Sequence, residues 1–182
     1  MPNVTIARDG AIATVTLNRP ARRNSLSDEM LTDLAAAFAA LRDDADSRVV
    51  IVTGAPPVWG LTLAADFRLA AAEAELWIPE VDLGVPLGVA STTRFVRLVG
   101  PARAKEIILE CRRYTAEEAR AMGLVHRVVP GAALLAEARG LAERLAAKPF
   151  RPLAEMKARI NAIARTGIPD VNAMTEGFLG RE

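Results

Sequence analysis

Near the start of the chain, apolar and polar positions alternate singly. From Ile12 to Leu17 the order sets Ala13, Val15 and Leu17 against Ile12, Thr14 and Thr16. This period of two predicts a strand with one buried face. Val4 to Arg8 precedes it, and the intervening Asp9-Gly10 is a two-residue turn signal, so a β-hairpin is expected over residues 4–18, ended by Arg19-Pro20. The period then lengthens. Leu31, Leu34, Phe38 and Leu41 recur at spacings of three and four behind Ser25-x-x-Asp28, the pattern of a capped amphipathic helix. Val49 to Val52 is an unbroken apolar run closed by Thr53-Gly54, which predicts a strand buried on both faces.

The second half is punctuated more heavily. Residues 61–72 read as a helix, or as a helix followed by a strand, and residues 75–78 as a short strand stopped by Pro79. Gly84, Pro86 and Gly88 make residues 81–90 a loop, after which Ser91 or Thr92 opens a helix through Leu98. Gly100-Pro101 separates that helix from a second one reaching Leu109. Thr115-x-x-Glu118 caps a further helix closed by Gly123, residues 125–129 read as a strand, and only helical patterns follow, over 132–147 and 152–165. Strands and helices that alternate and then give way to helices alone argue for an α/β core with a C-terminal helical region.

Composition narrows the function classes. Of 182 residues, 51% are hydrophobic and 25% charged, the balance of a folded globular chain. With 23 basic against 22 acidic residues there is no global field to draw in nucleic acid or anionic lipid, and 4% aromatic content leaves little for base stacking. Nucleic acid and membrane are therefore not expected partners. No uncharged apolar run approaches the roughly 18 residues a membrane helix needs. Cys111 is the lone cysteine, which excludes a disulfide framework or a cysteine metal cluster, and the lone His126 argues against Ser-His-Asp chemistry. The N-terminal residues show no secretory pattern, so a cytoplasmic protein is expected. The basic set is almost all arginine and alanine is abundant, which points to a GC-rich bacterial source.

Three stretches carry a resemblance. Val15-Thr16-Leu17-Asn18-Arg19-Pro20 leads to Asn24-Ser25-Leu26; Ile78-Pro79-Glu80-Val81-Asp82-Leu83-Gly84 is followed by Pro86 and Gly88. Leu98-Val99-Gly100-Pro101-Ala102-Arg103-Ala104 continues through Ala116-Glu117-Glu118-Ala119 and Met122-Gly123-Leu124-Val125 to Val128-Val129-Pro130. In this order and spacing the chain resembles the crotonase superfamily, the enoyl-CoA hydratase/isomerase family. The resemblance implies an α/β fold, a crotonase-like spiral of β-β-α units over residues 1–128, with a helical oligomerisation region over 129–182. It further implies an acyl-CoA thioester as substrate, no metal or redox cofactor, and assembly as a homotrimer or dimer of trimers.

The chemistry so implied is water addition to an enoyl-CoA, or a shift of its double bond, through an enolate. Two backbone N–H groups would hold the enolate oxygen while a carboxylate moves protons. Glu80 matches the family's Pro-Glu position and follows Trp77, Ile78 and Pro79, a partly desolvated setting for a proton shuttle; read without the resemblance it is a solvated loop glutamate. Gly60, in the reduced turn Trp59-Gly60-Leu61-Thr62, is the remaining oxyanion candidate, or else an ordinary turn glycine. Arg22 and Arg23 stand where family members contact CoA and suit phosphate recognition, though a solvated basic loop fits them equally. Asp82 reads as a solvated turn acid, Asp66 as a turn-forming residue, Cys111 and His126 as structural.

The departures are equally informative. Where the family carries several dozen residues, including the oxyanion loop, only Ala55 to Ala65 separate Gly54 from Asp66. The second glutamate of family hydratases has Thr62 as its nearest counterpart here, which leans the reading toward isomerisation. A degenerate, non-catalytic acyl-CoA-binding or assembly subunit is the alternative.

Overall fold

The computed structural model describes residues 2–22, 24, 27–54 and 63–166. The chain divides into two compact units, 1–146 and 147–182. The first unit begins with the expected hairpin. Strands β1 (Val4–Asp9) and β2 (Ile12–Leu17) pair antiparallel from Val4↔Leu17 to Asp9↔Ile12. Asp9 still pairs with Ile12, so the two turn residues are Gly10 and Ala11, and the left-handed conformation (φ +55°) falls on the glycine. On its other side β2 runs parallel to β3 (Val49–Gly54), in register from Ile12↔Val49 to Leu17↔Gly54. A parallel pair needs a crossover, and helix α1 (Asp28–Arg42) supplies it.

Helix α1 departs from its sequence pattern in two ways. Its N-cap is Ser27, whose hydroxyl accepts the Met30 N–H at 3.3 Å. Its buried stripe is Met30, Leu34, Ala37 and Leu41; Leu31 is 48% exposed and Phe38 also faces out. The helix carries apolar residues at two overlapping registers, and the buried face of β2 selects one of them. Ala13, Val15 and Leu17 pack with Met30, Leu34 and Leu41 into a small core, where each fully buried large side chain contributes about 1.5–3 kcal/mol. The double burial expected for β3 is not found: β3 ends the sheet order β1-β2-β3, and Val50 is 38% exposed.

A larger core gathers around Leu76, Phe95, Ile107, Tyr114 and Leu124. Strand β4 (Leu69–Ala71) pairs parallel with β7 (Arg127–Val129), and β5 (Glu75–Trp77) pairs antiparallel with β6 (Arg113–Thr115). Residues 63–67 form turns and bends rather than the helix considered for them. Helix α2 (Val89–Glu110) starts from Gly88 rather than from Ser91 or Thr92; the Thr92 hydroxyl donates back to the Leu87 and Gly88 carbonyls. At Gly100 (φ +77°, ψ 166°), before Pro101, the helical backbone breaks, so α2 is two helical pieces as the Gly-Pro pair predicts. Helix α3 (Ala116–Ala121) has the full Thr115/Glu118 capping box, and Gly123 (φ +81°) follows its end.

Helix α4 (Leu134–Ala146) packs on β3, β4 and β2, so it belongs to the first unit although it lies beyond residue 128. An ion pair between Arg139 and Asp9 ties it to the hairpin. The second unit contains α5 (Phe150–Thr166), which exposes Phe150, Met156 and Ile160.

Candidate active site

Glu80 sits at the exit of β5, on a frame held from several sides. Leu76 and Ile78 are buried in the larger core, and β5 is in register with β6 through Glu75↔Thr115, Leu76↔Tyr114 and Trp77↔Arg113. The Trp77 indole N–H donates to the Cys111 carbonyl at 3.0 Å, and the Arg113 guanidinium lies 4.2 Å from the Trp77 ring while pairing with Glu75 at 3.0 Å. Past Pro79 the chain folds into a tight turn. The Glu80 carbonyl accepts the N–H groups of Leu83 (3.2 Å) and Val85 (3.0 Å), and the Val81 carbonyl accepts that of Gly84, whose φ of +72° closes the turn.

This turn leaves Val81, Leu83 and Val85 exposed, Leu83 by 70%. The Glu80 side chain is half-buried, and its Oε2 is shielded from water with no hydrogen-bond partner. A shielded carboxylate oxygen without a donor is unfavourable by about 1–3 kcal/mol, and native structures leave few such atoms. This oxygen retains an unused capacity to accept a proton or a hydrogen bond. Asp82, two residues on, is exposed.

Arg22 lies in a single 3-10 turn, Pro20–Arg22, between β2 and α1, and is exposed. Its loop leads into the smaller core, whereas the strand that leads to Glu80 belongs to the larger one. Gly60, Arg23 and Thr62 lie outside the described residues.

The remaining candidates have structural surroundings. Cys111 is buried in a left-handed C-cap (φ +51°), its thiol directed at the Ile108 carbonyl. His126 exchanges two hydrogen bonds with residue 68: its N–H donates to the Arg68 carbonyl at 2.8 Å, and its Nδ1 accepts the Arg68 N–H at 3.1 Å. Partial burial, followed by the nearby Arg68 charge, lowers the imidazole pKa below its usual value. Sequence reasoning passed over Arg68, a buried cation whose guanidinium donates to the Leu124 carbonyl at 2.6 Å and the Ala65 carbonyl at 2.8 Å. Burial draws its pKa down while the charge of exposed Asp66 opposes that shift. Arginine within an apolar run was the available signal. Among the described residues no group of three or more His, Cys, Asp or Glu is arranged to hold a metal, and no helix is long and apolar enough to cross a membrane.

The sequence model of the enoyl-CoA hydratase/isomerase family matches residues 7–61 and 58–177, nearly the whole chain. The chain belongs to this family. Its fold is the crotonase fold: a crystal structure of an enoyl-CoA hydratase/carnithine racemase from Magnetospirillum magneticum superposes with a TM-score of 0.90 at 28% identity, covering 100% of this chain and 89% of that one. A crotonyl-CoA hydratase of Syntrophomonas wolfei is 27% identical over 218 positions, covering 91% of this chain and 84% of its own length. A short-chain-enoyl-CoA hydratase of Clostridioides difficile is 40% identical over 108 residues, 59% of this chain and 70% of its own length.

These matches also locate the shortfall. Ninety-one per cent of 182 residues is about 166, so about 52 of the 218 positions shared with the Syntrophomonas protein have no residue in this chain. The family model breaks at residues 58–61, inside the short interval between Gly54 and Asp66.

Proposed function

We propose that this chain moves a proton on an enoyl-CoA thioester, with Glu80 as the carboxylate that does so. The carrying observation is the water-shielded, unpartnered Oε2 of Glu80 at the end of a strand braced by β6 and the Trp77–Cys111 hydrogen bond. The Pro79-Glu80 pair matches the family's proton-shuttle position, and the relatives named above carry the names of enoyl-CoA hydratases.

In the proposed reaction the Glu80 carboxylate accepts a proton from the carbon next to the thioester carbonyl or from an attacking water. Loss of the carbon proton from a 3-enoyl thioester gives a dienolate, and return of the proton at C4 shifts the double bond to C2–C3. When water is the proton source instead, its oxygen adds to C3 of a 2-enoyl thioester, and the resulting enolate is protonated at C2. Withholding water from the carboxylate keeps it free to take a proton from carbon. Gly60 would offer a backbone N–H to the enolate oxygen, and Arg22 and Arg23 would hold CoA phosphates. The thioester is the substrate and the proposal calls on no cofactor. With one candidate carboxylate, the double-bond shift is the economical reaction; hydration asks a second group to orient water.

One assay separates the two. Hydration of crotonyl-CoA removes the absorbance of the conjugated enoyl thioester, whereas isomerisation of a 3-enoyl-CoA creates it. Gain without loss supports the double-bond shift, loss supports hydration, and either signal surviving in Glu80→Gln overturns the assignment of Glu80.

The absence of about 52 of the relatives' positions favours a second reading, a non-catalytic acyl-CoA-binding or assembly subunit, in a homotrimer or a dimer of trimers. CoA binding with neither absorbance change would support that one.

A further inference from the structure

Asn24 holds an unusual position. It is 1% exposed, and it adopts a left-handed backbone (φ +54°), which among the described residues only one other non-glycine residue, Cys111, shares. Non-glycine residues in this region are uncommon, with asparagine among the more tolerant. Where such strain persists, the surroundings over-determine it, and functional sites are where it gathers.

Here the surroundings are specific. The Asn24 Oδ1 accepts the Arg19 N–H at 2.7 Å, and the Asn24 N–H donates to the Arg19 carbonyl at 2.9 Å, which also accepts the Arg22 N–H at 3.0 Å. Both backbone polar groups of Arg19 are thereby clasped by one residue, closing the loop that carries Arg22. The Arg19 guanidinium in turn donates to Ser27 Oγ at 2.7 Å, the same oxygen that caps α1. On its far side the Asn24 amide abuts the end of β3: a Cβ placed on Gly54 would stand 3.1 Å from Asn24 Nδ2 and 2.9 Å from Leu17 Cβ. Asn24 thus touches both the arginine loop and the residue from which the chain leaves β3 toward Gly60. The C-terminal ends of parallel strands, here Leu17 of β2 and Gly54 of β3, are also where α/β sheets receive ligands.

We propose that Asn24 is a positioning residue for the anionic nucleotide end of CoA. It acts by locking the Arg19–Arg22 loop against Gly54, and touches neither the thioester nor the reacting carbons. The proposal rests on the acyl-CoA reading above. The probes are butyryl-CoA, which is saturated and cannot be turned over, and butyryl-pantetheine, which lacks the nucleotide; calorimetry gives Kd for each.

Asn24→Gly keeps the left-handed backbone and the bond from its own N–H to the Arg19 carbonyl, and removes the Oδ1 that accepts the Arg19 N–H. It is expected to raise Kd for butyryl-CoA on the order of tenfold, about 1.4 kcal/mol, and to leave that for butyryl-pantetheine unchanged. Gly54→Ala presses on the clasp from β3 and should give the same selective loss should the first variant fold poorly. Thr115→Ala loosens the α3 cap in the larger core without touching the clasp, so it should lower Tm with no selective loss. Equal weakening toward both ligands, or none, overturns the role of Asn24 alone. A wild-type chain that does not prefer butyryl-CoA over butyryl-pantetheine overturns the acyl-CoA reading and this inference together.

Discussion

Replacing Glu80 by glutamine separates its chemical role from its structural one. The amide has nearly the carboxylate's shape but has lost the ability to take up a proton. A positioned general acid–base group contributes 10²–10⁴-fold in rate, about 2.7–5.5 kcal/mol of barrier, so kcat should fall by that factor. Stability should change little. Glu80 Oε2 is buried without a donor, and no hydrogen bond or ion pair to this side chain is seen among the described residues. The amide therefore breaks no contact, and a change of about 1 kcal/mol or more, roughly 2–4 °C in Tm for a chain of this size, is not expected. Steady-state turnover of crotonyl-CoA and a 3-enoyl-CoA, with thermal melting followed by circular dichroism, reads both quantities. Lost turnover with a nearly unchanged Tm is the expected pair. A retained kcat, or a Tm lowered by more than about 3 °C, would refute the argument, because Glu80 would then be spectator or scaffold.

Arg22→Ala should weaken butyryl-CoA binding several-fold at low salt and less at high salt, since an exposed guanidinium acts through screened charge; titrations at two ionic strengths read this. His126 titrates below its ordinary value of 6.5, so the fold favours the neutral ring; stability should fall as pH drops below about 6.5 and level off below the folded value, and His126→Gln should flatten that slope in urea melts. The Ser47 hydroxyl, then the Arg8 guanidinium, hold the Asp44 carboxyl at about 2, so its stabilising effect is present above about 3.8 and lost as pH falls toward 2. Ser47→Ala should move that titration upward in carboxyl NMR. Thr115→Ala removes the hydroxyl that caps α3 and should destabilise by about 1 kcal/mol, read as a lower urea midpoint at unchanged slope.

Much of the fold was legible because its signals are local. The Asp9-Gly10 hairpin, the Gly100-Pro101 break and the Thr115/Glu118 box each depend on residues within a few positions of one another, and each formed where expected within a residue. Glu80 became the candidate for a different reason: the Pro-Glu pair sits in an ordered motif that resembles the family's, whereas its residue type alone favoured a solvated loop acid.

The rest needed partners distant in sequence. Which stripe of α1 is buried was decided by Val15 and Leu17 on β2, because a helix with apolar residues at 30, 31, 34, 37, 38 and 41 fits two registers equally. Residues 63–67 carry a helix-like apolar pattern, yet they form turns and bends that lead to Arg68, whose side chain and backbone bind 124 and 126. Val50 is exposed because β3 ends its sheet order, a fact of strand pairing that an apolar run does not encode.

By itself, then, the sequence determined the order of elements and the family, since period, caps and motif spacing are written along the chain. Only the tertiary structure decided that Glu80 Oε2 is dry and unpartnered, and that Asn24 clasps Arg19 beside Gly54. Both are statements about neighbours: burial and unmet hydrogen bonds arise where distant segments meet, and no residue carries them alone.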